Sequence, residues 1–379
     1  MIGNLIIYSL LIFYLIIDTF FLVPAGLSFY NYLLPFIWGG ILAISYFFSR
    51  DSSMRIKGEK DKEQSMLIAM IIYIIIYFLS GLIFGFERTP YSKDIVSIIK
   101  NIWSFGSVVV FQEIVRQGLI RNNKKSVVNF VCLTIVFALL DINISSVGSQ
   151  FTDVQTGFIY ISTIIIPAVV TSAVMTYLIY IGGCKLSIIY RLFILLPPFV
   201  VPIVPSYDWF ATALMGITVP LGVYVYLNYV HVNKTERLSK RERRKYNPVV
   251  YVPVFGLIGV LACFVVGVFK YQPIAVLSGS MSPTFNRGDA VVIEKLNTYE
   301  KNELKKGDII QFVSGTKYVV HRIKEITNDE YGNKVFVTKG DHNNAIDFDM
   351  VHLENVKGKV AFIIPYIGFP SVWLSGAIS

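Results

Sequence analysis

Charge is scarce in this sequence. Of 379 residues only 16% are Asp, Glu, Lys or Arg, against about 25% in an ordinary soluble domain, which excludes a soluble multi-domain protein. Histidine is rarer: there are four, and His231 is the only one before residue 300. An intramembrane metalloprotease needs imidazole ligands within its spans, so that class is excluded too. The three cysteines are Cys132, Cys184 and Cys263. The C-terminal region therefore has no disulfide framework, no thiol nucleophile and no cysteine-based zinc site. What is abundant is apolar: 54% hydrophobic and 15% aromatic residues exclude intrinsic disorder.

The net charge of +9 raises nucleic acid as a partner, and its distribution removes it. Residues 271–360 hold 12 basic and 12 acidic residues, and 361–379 hold none. The remaining 22 basic and 13 acidic residues all lie in 1–270, so the whole excess sits in the hydrophobic part. There, apolar segments of about 20 residues, the length that crosses a hydrocarbon core of about 30 Å, alternate with short polar loops. The expected spans are 3–23, 29–48, 66–86, 96–115, 126–142, 158–181, 187–205, 209–230 and 249–269.

Loop charge gives the orientation. The loops at 50–65, 116–125, 182–186 and 233–248 carry 17 basic residues, while the alternate loops and the exit at 270 carry only Arg88, Lys93 and Lys270. Basic loops face the cytoplasm, so the N-terminus is expected inside and residues 271 onward outside the plasma membrane. The first span reads as a retained anchor, since it lacks the basic n-region of a cleaved leader. The run KTERLSKRERRK at 234–245 is a cytoplasmic anchor beside anionic lipid headgroups. Glu113 and Arg116, three apart on one helix face, are expected to pair within the bilayer, with Asp18, Asp141 and Asn143 at span ends.

The fold class is therefore a multi-pass α-helical membrane region followed by an extracytoplasmic, mostly-β domain. Residues 1–248 form the multi-span region of about eight helices, 249–270 the last anchor, and 271–379 the β-rich domain with an apolar C-terminal segment. Short β-branched and aromatic runs at 290–296, 308–314, 317–326, 334–340 and 357–366 read as strands, punctuated by Gly-Asp and Asn-Asp turns. The apolar stretches Ile274–Leu277 and Ala361–Leu374 are expected to dip into the membrane interface.

Within this domain the polar inventory is selective. Ser278-Gly279-Ser280-Met281-Ser282-Pro283-Thr284 opens it about ten residues past the last span. His321 follows 41 residues after Ser280, Asp341 follows at 61 and Asp347 at 67. A hydroxyl is a poor nucleophile until a base takes its proton, and the base acts best when a carboxylate orients it. One serine, one strand-borne histidine and one or two aspartates supply such a set, without metal or cofactor.

The region from about 250 to 370 resembles type I signal peptidases of the endoplasmic reticulum and archaeal branch, also found in some Gram-positive bacteria. The matching boxes are SGSMxPT at 278–284, RGD at 287–289, GDI at 307–309, VVHRI at 319–323 and KGDxN at 339–343. The resemblance implies a serine endopeptidase that removes signal peptides from secretory precursors, with accessory membrane subunits among its partners. It implies Ser280 as nucleophile and His321, where most bacterial members carry lysine, as general base. Asp347 is favoured to orient His321, with Asp341 supporting; the Ser280 amide and Ser278 hydroxyl would form the oxyanion hole. His342 stands where the family often has asparagine. Family members usually have one or two spans, so the resemblance leaves the role of 1–248 open between partner docking, substrate guiding and a separate fused function. Two other classes stay in view: a multi-span scaffold or transporter with a non-catalytic appendage, and a self-cleaving regulator.

Overall fold

The computed structural model describes residues 2–24, 29–48, 59–121, 126–152, 154–235, 269–315 and 317–374. The chain divides into two compact units, Met1–Thr152 with Ile159–Gly256, and Asp153–Phe158 with Leu257–Ser379. The expected ninth span at 249–269 and most of the basic run at 234–245 lie outside the described residues.

The first unit is helical. Its elements are α1 (Ile2–Ile17), α2 (Tyr30–Phe48), α3 (Glu59–Phe84), β1 (Phe86–Arg88), α4 (Ile95–Asn101), α5 (Ser107–Arg121), α6 (Val127–Asp141), α7 (Val147–Gln150), α8 (Val154–Tyr160), α9 (Ile166–Gly182), α10 (Cys184–Leu195), α11 (Pro197–Val200), β2 (Ile203–Pro205) and α12 (Trp209–Thr235). Five-residue π turns extend α1 and join α4 to α5 and α8 to α9. Six rods among the described residues are long and apolar enough to cross a membrane: Gly3–Leu22, Tyr30–Phe48, Glu59–Phe84, Ile95–Arg121, Thr156–Gly182 and Trp209–Val230.

Two expected spans look different. The fifth is α6, followed by the short Ile144–Gln150 helix at a 68° bend. The seventh contracts to α10, whose 12 residues cover only about 18 Å. Gly183 at φ +85° turns the chain sharply before it, and Pro197-Pro198 ends the run by withholding backbone donors.

Helix α9 is central to the packing. On one side Ile179 joins Ile7, Leu11, Trp38, Leu119, Leu133 and Phe137. On the other, Val174, Met175 and Leu178 pack with Met66, Met70, Leu186, Tyr190 and Val223. The outside of the unit is apolar as well: Phe47 is 72% exposed, and Leu82 and Ile95 are each 75% exposed. So much exposed hydrocarbon in water would drive association; against acyl chains it is a solvated surface.

The second unit is built on a seven-stranded antiparallel sheet: β3 (Tyr271–Ala275), β4 (Ala290–Lys295), β5 (Ile309–Ser314), β6 (Lys317–Asn328), β7 (Lys334–Lys339), β8 (Val351–His352) and β9 (Val356–Ile364). Their spatial order is β3-β4-β9-β5-β6-β7-β8. Five strands fall close to the expected runs. The other two are short: β3 carries Pro273 and lies at the sheet edge, where a residue without an N–H is tolerated, and β8 has only two residues. Ile274 and Ala361–Ile364 thus belong to the sheet, as edge strand and as part of β9, and Phe369–Leu374 is a short helix.

Alternate strand positions fill two cores, one around Ile310, Phe312, Ile323 and Phe336, the other around Met281, Phe285, Val291 and Ile293. The RGD box is a brace for this second core. Asp289 accepts hydrogen bonds from the Asn286 amide at 2.8 Å and the Tyr366 amide at 3.1 Å. Gly288, at φ +95°, is a position where a Cβ would stand 2.5 Å from the Phe369 ring, so only glycine fits without strain.

Candidate active site

Ser280 sits in the turn that follows β3, and its place depends on the KGD loop. The His342 amide donates to the Ser280 carbonyl at 2.8 Å. Gly340 permits that approach, because a Cβ there would lie 2.6 Å from the same oxygen. His321 projects from β6, 8% exposed, with its ring edge-on to Phe312. Its Nε2 is 3.2 Å from Ser280 Oγ, and its Nδ1 is 2.6 Å from Asp347 Oδ2.

The loop after β7 brings Asp347 back to this face. Its amide donates to the Thr338 carbonyl at 2.9 Å, and its Oδ2 accepts from the Thr338 hydroxyl at 2.6 Å. Thr338 is wholly buried, so the carboxylate is held by both main chain and side chain of one residue. The sequence gives a faint signal for this threonine: Phe336 and Thr338 alternate on the inward face of β7, and Thr338 is its polar member.

Asp341 is placed elsewhere. Arg322 grips it through Nε at 2.9 Å and Nη2 at 2.6 Å, and the Thr284 hydroxyl donates to it at 2.7 Å. Hydrogen bonding to the Arg322 guanidinium holds its carboxyl at about 2, below the ordinary carboxylate range. Successive side chains of a strand point to opposite faces, so His321 and Arg322, neighbours on β6, take different aspartates. Arg322 also donates to the Gly307 carbonyl at 2.9 Å, which ties the KGD, GDI and SGSMxPT boxes together.

The Ser278 hydroxyl lies 3.3 Å from Ser280 Oγ. Both face a cavity of about 520 Å³ whose lining includes Ile274, Val276, Met281 and Tyr318, mostly apolar, with Gln311 and Asn343 as polar members beside the reactive groups. His342 contributes its backbone here; no side-chain hydrogen bond from it to the Ser280–His321–Asp347 line is present.

Residues 249–330 match the family described as signal peptidase, peptidase S26. The chain is 34% identical over 119 residues to the signal peptidase complex catalytic subunit SEC11 of Lachancea thermotolerans, covering 28% of this chain and 68% of that protein. The chain belongs to the signal peptidase family. It is also 38% identical over 131 residues to signal peptidase I W of Bacillus subtilis, covering 32% of this chain and 64% of that one. Against the human catalytic subunit SEC11C the identity is 31% over 108 residues, covering 26% of this chain and 55% of the relative. The chain thus spans between about half and two thirds of the length of these signal peptidases, and the matches cover about a third of it or less.

Proposed function

We propose that this chain is a membrane-bound serine endopeptidase that cleaves signal peptides from secretory precursors at the outer face of the plasma membrane. The observation that carries the reading is the unbroken line Ser280 Oγ, His321 Nε2, His321 Nδ1, Asp347 Oδ2 at 3.2 and 2.6 Å. In the proposed mechanism His321 takes the Ser280 proton as Oγ attacks the scissile carbonyl, and returns it to the leaving amine. Asp347 fixes the ring and stabilises the imidazolium. The Ser280 amide and Ser278 hydroxyl donate to the developing oxyanion, worth about 3–4 kcal/mol for one such donor. Water, activated by the same histidine, then hydrolyses the acyl-enzyme.

Asp341 has a different part in this reading: it positions the loop that carries Gly340 against Ser280. The basic alternate loops support a cytoplasmic N-terminus and an outward peptidase domain, and the largely apolar cavity beside Ser280 suits a small apolar residue before the cut. Two of the relatives are named as catalytic subunits of a complex, which supports accessory membrane subunits here.

The test is co-expression with a secreted precursor and measurement of mature product. Ser280→Ala and His321→Ala should each abolish processing while the protein stays folded and in the membrane. Normal processing by either variant overturns the proposal, and substrate flux that survives loss of Ser280 would move it to a transport or scaffold role.

A further inference from the structure

The helical unit contains a cavity of about 580 Å³, within the usual size of a small-ligand site. It forms where the C-terminal ends of α6 and α10 meet the N-terminal parts of α9 and α12, and its wall includes Asp141, Ala168, Thr171, Arg191, Phe199 and Met215. Asp141 and Arg191 are the charged members of an otherwise mostly apolar lining.

The pair is built from behind. Arg191 Nη1 donates to Gln112 at 2.9 Å and to Glu113 at 2.8 Å, and Nη2 donates to Asp141 Oδ1 at 2.5 Å. Glu113 is fully buried and lies 3.5 Å from the equally buried Arg116, whose guanidinium covers the Phe137 ring at 4.2 Å. Two acids and two bases balance, so the cluster is neutral. Among the described residues, Asp141 accepts through Oδ1 alone and Arg191 Nη2 donates to Asp141 alone, leaving one carboxylate oxygen and one N–H for a ligand. A cluster that only joined helices would close on itself. Buried ion pairs are weak sources of stability compared with apolar packing, and charged groups at membrane depth generally face a functional cavity.

An acceptor beside a donor on a neutral wall selects its ligand. A carboxylate or phosphodiester would face Asp141, and an ammonium would face Arg191. A hydrocarbon chain would leave both groups unsatisfied. A main-chain amide supplies one N–H and one C=O with no charge. We propose that this cavity binds an apolar peptide segment, whose main-chain amide donates to Asp141 and accepts from Arg191. The inference rests on the peptidase reading above and deepens it, the peptide being the hydrophobic stretch of the precursor. The helix ends around the cavity are those that the loop charges assign to the outward side, where such a stretch ends.

The test uses the full chain with Ser280→Ala in phosphatidylethanolamine and phosphatidylglycerol nanodiscs, so that binding is read without cleavage. The probe is an N-acetylated, C-amidated leucine–alanine peptide carrying one photoreactive residue. Labelling is expected on the cavity walls of α9, α10 and α12, and Asp141→Leu should weaken it about tenfold. Ala168→Trp, which fills the space and leaves the ion cluster intact, should do the same even if Asp141→Leu disturbs folding. Labelling elsewhere, labelling unchanged by Ala168→Trp, or a photoreactive phospholipid that labels these walls and is not displaced by the peptide each overturns the site. Cleaved precursor without peptide labelling refutes the cavity alone. Labelled cavity with precursor that wild type leaves uncut refutes the peptidase reading alone.

Discussion

The two units handle polarity in opposite ways. The helical unit buries Glu113 and Arg116 completely and balances them as full charges, leaving Glu113 Oε2 and Arg116 Nε without hydrogen bonds among the described residues. The sheet unit buries Thr338 and His321 and arranges its polar groups as a line of hydrogen bonds, Thr338 to Asp347 to His321 to Ser280. In the hydrogen-bonded line His321 exchanges a proton with Ser280 while Asp347 holds its ring, whereas the bundle's ion pairs set side chains against each other. The contrast teaches that the sheet's polar groups are arranged for proton transfer, and that the bundle's charges set out the Asp141–Arg191 pair on the cavity wall.

Mutations in the two systems should differ in their main readout, cleavage for the sheet and stability for the bundle. The largest effect expected is from Asp347→Asn, which removes the acceptor for His321 Nδ1–H and favours the wrong tautomer. Precursor cleavage should fall about 10⁴-fold, with the melting temperature little changed; a loss under tenfold would assign orientation of the base to another group. Glu113→Gln should act oppositely. Removing one partner of a buried ion cluster costs about 3–5 kcal/mol, read as a lower melting temperature of the membrane-embedded chain.

A smaller effect sharpens the hydrogen-bonded line. Thr338→Val deletes one hydrogen bond to a carboxylate, worth about 1.5–3 kcal/mol. It should lower kcat about 10- to 100-fold with KM unchanged, and Thr338→Ser should restore the rate. Equal loss in both variants would make Thr338 a packing residue. The smallest effect concerns Asp341, whose carboxyl Arg322 depresses to about 2. A depressed carboxyl stabilises the fold above its unfolded value of about 3.9, and that contribution is lost as pH falls through about 2. The stability gap between wild type and Asp341→Asn should therefore be full at neutral pH, shrink below about pH 4 and close near pH 2; a gap independent of pH would show that no charge is involved.

Much of this was legible in the chain. Five strands announced themselves by β-branched runs between Gly-Asp turns, and the helical half by hydropathy. Hydropathy counts apolar residues but does not see Gly183 turning the chain or Pro197-Pro198 stopping it, so α10 looked long enough to span. The Pro273 edge strand lacks the alternating pattern that marks a half-buried strand. Asp341 and Asp347, six residues apart in one loop, are equivalent as letters. What separates them is the alternation of β6, which turns Arg322 away from His321 and gives each side chain its own carboxylate. The Asp141–Arg191 pair was invisible because its members are 50 residues apart and Asp141 looked like an ordinary span end.

The strand order has a consequence in time. β9, the last strand to be synthesised, lies between β4 and β5 near the middle of the sheet. Until it arrives, the β3–β4 pair that leads to Ser280 and the β5–β6 pair that carries His321 are not joined into one sheet. Such pairings between distant parts of a chain form late in folding. The growing polypeptide would therefore complete the Ser280–His321–Asp347 line only when nearly all of the sheet has been synthesised.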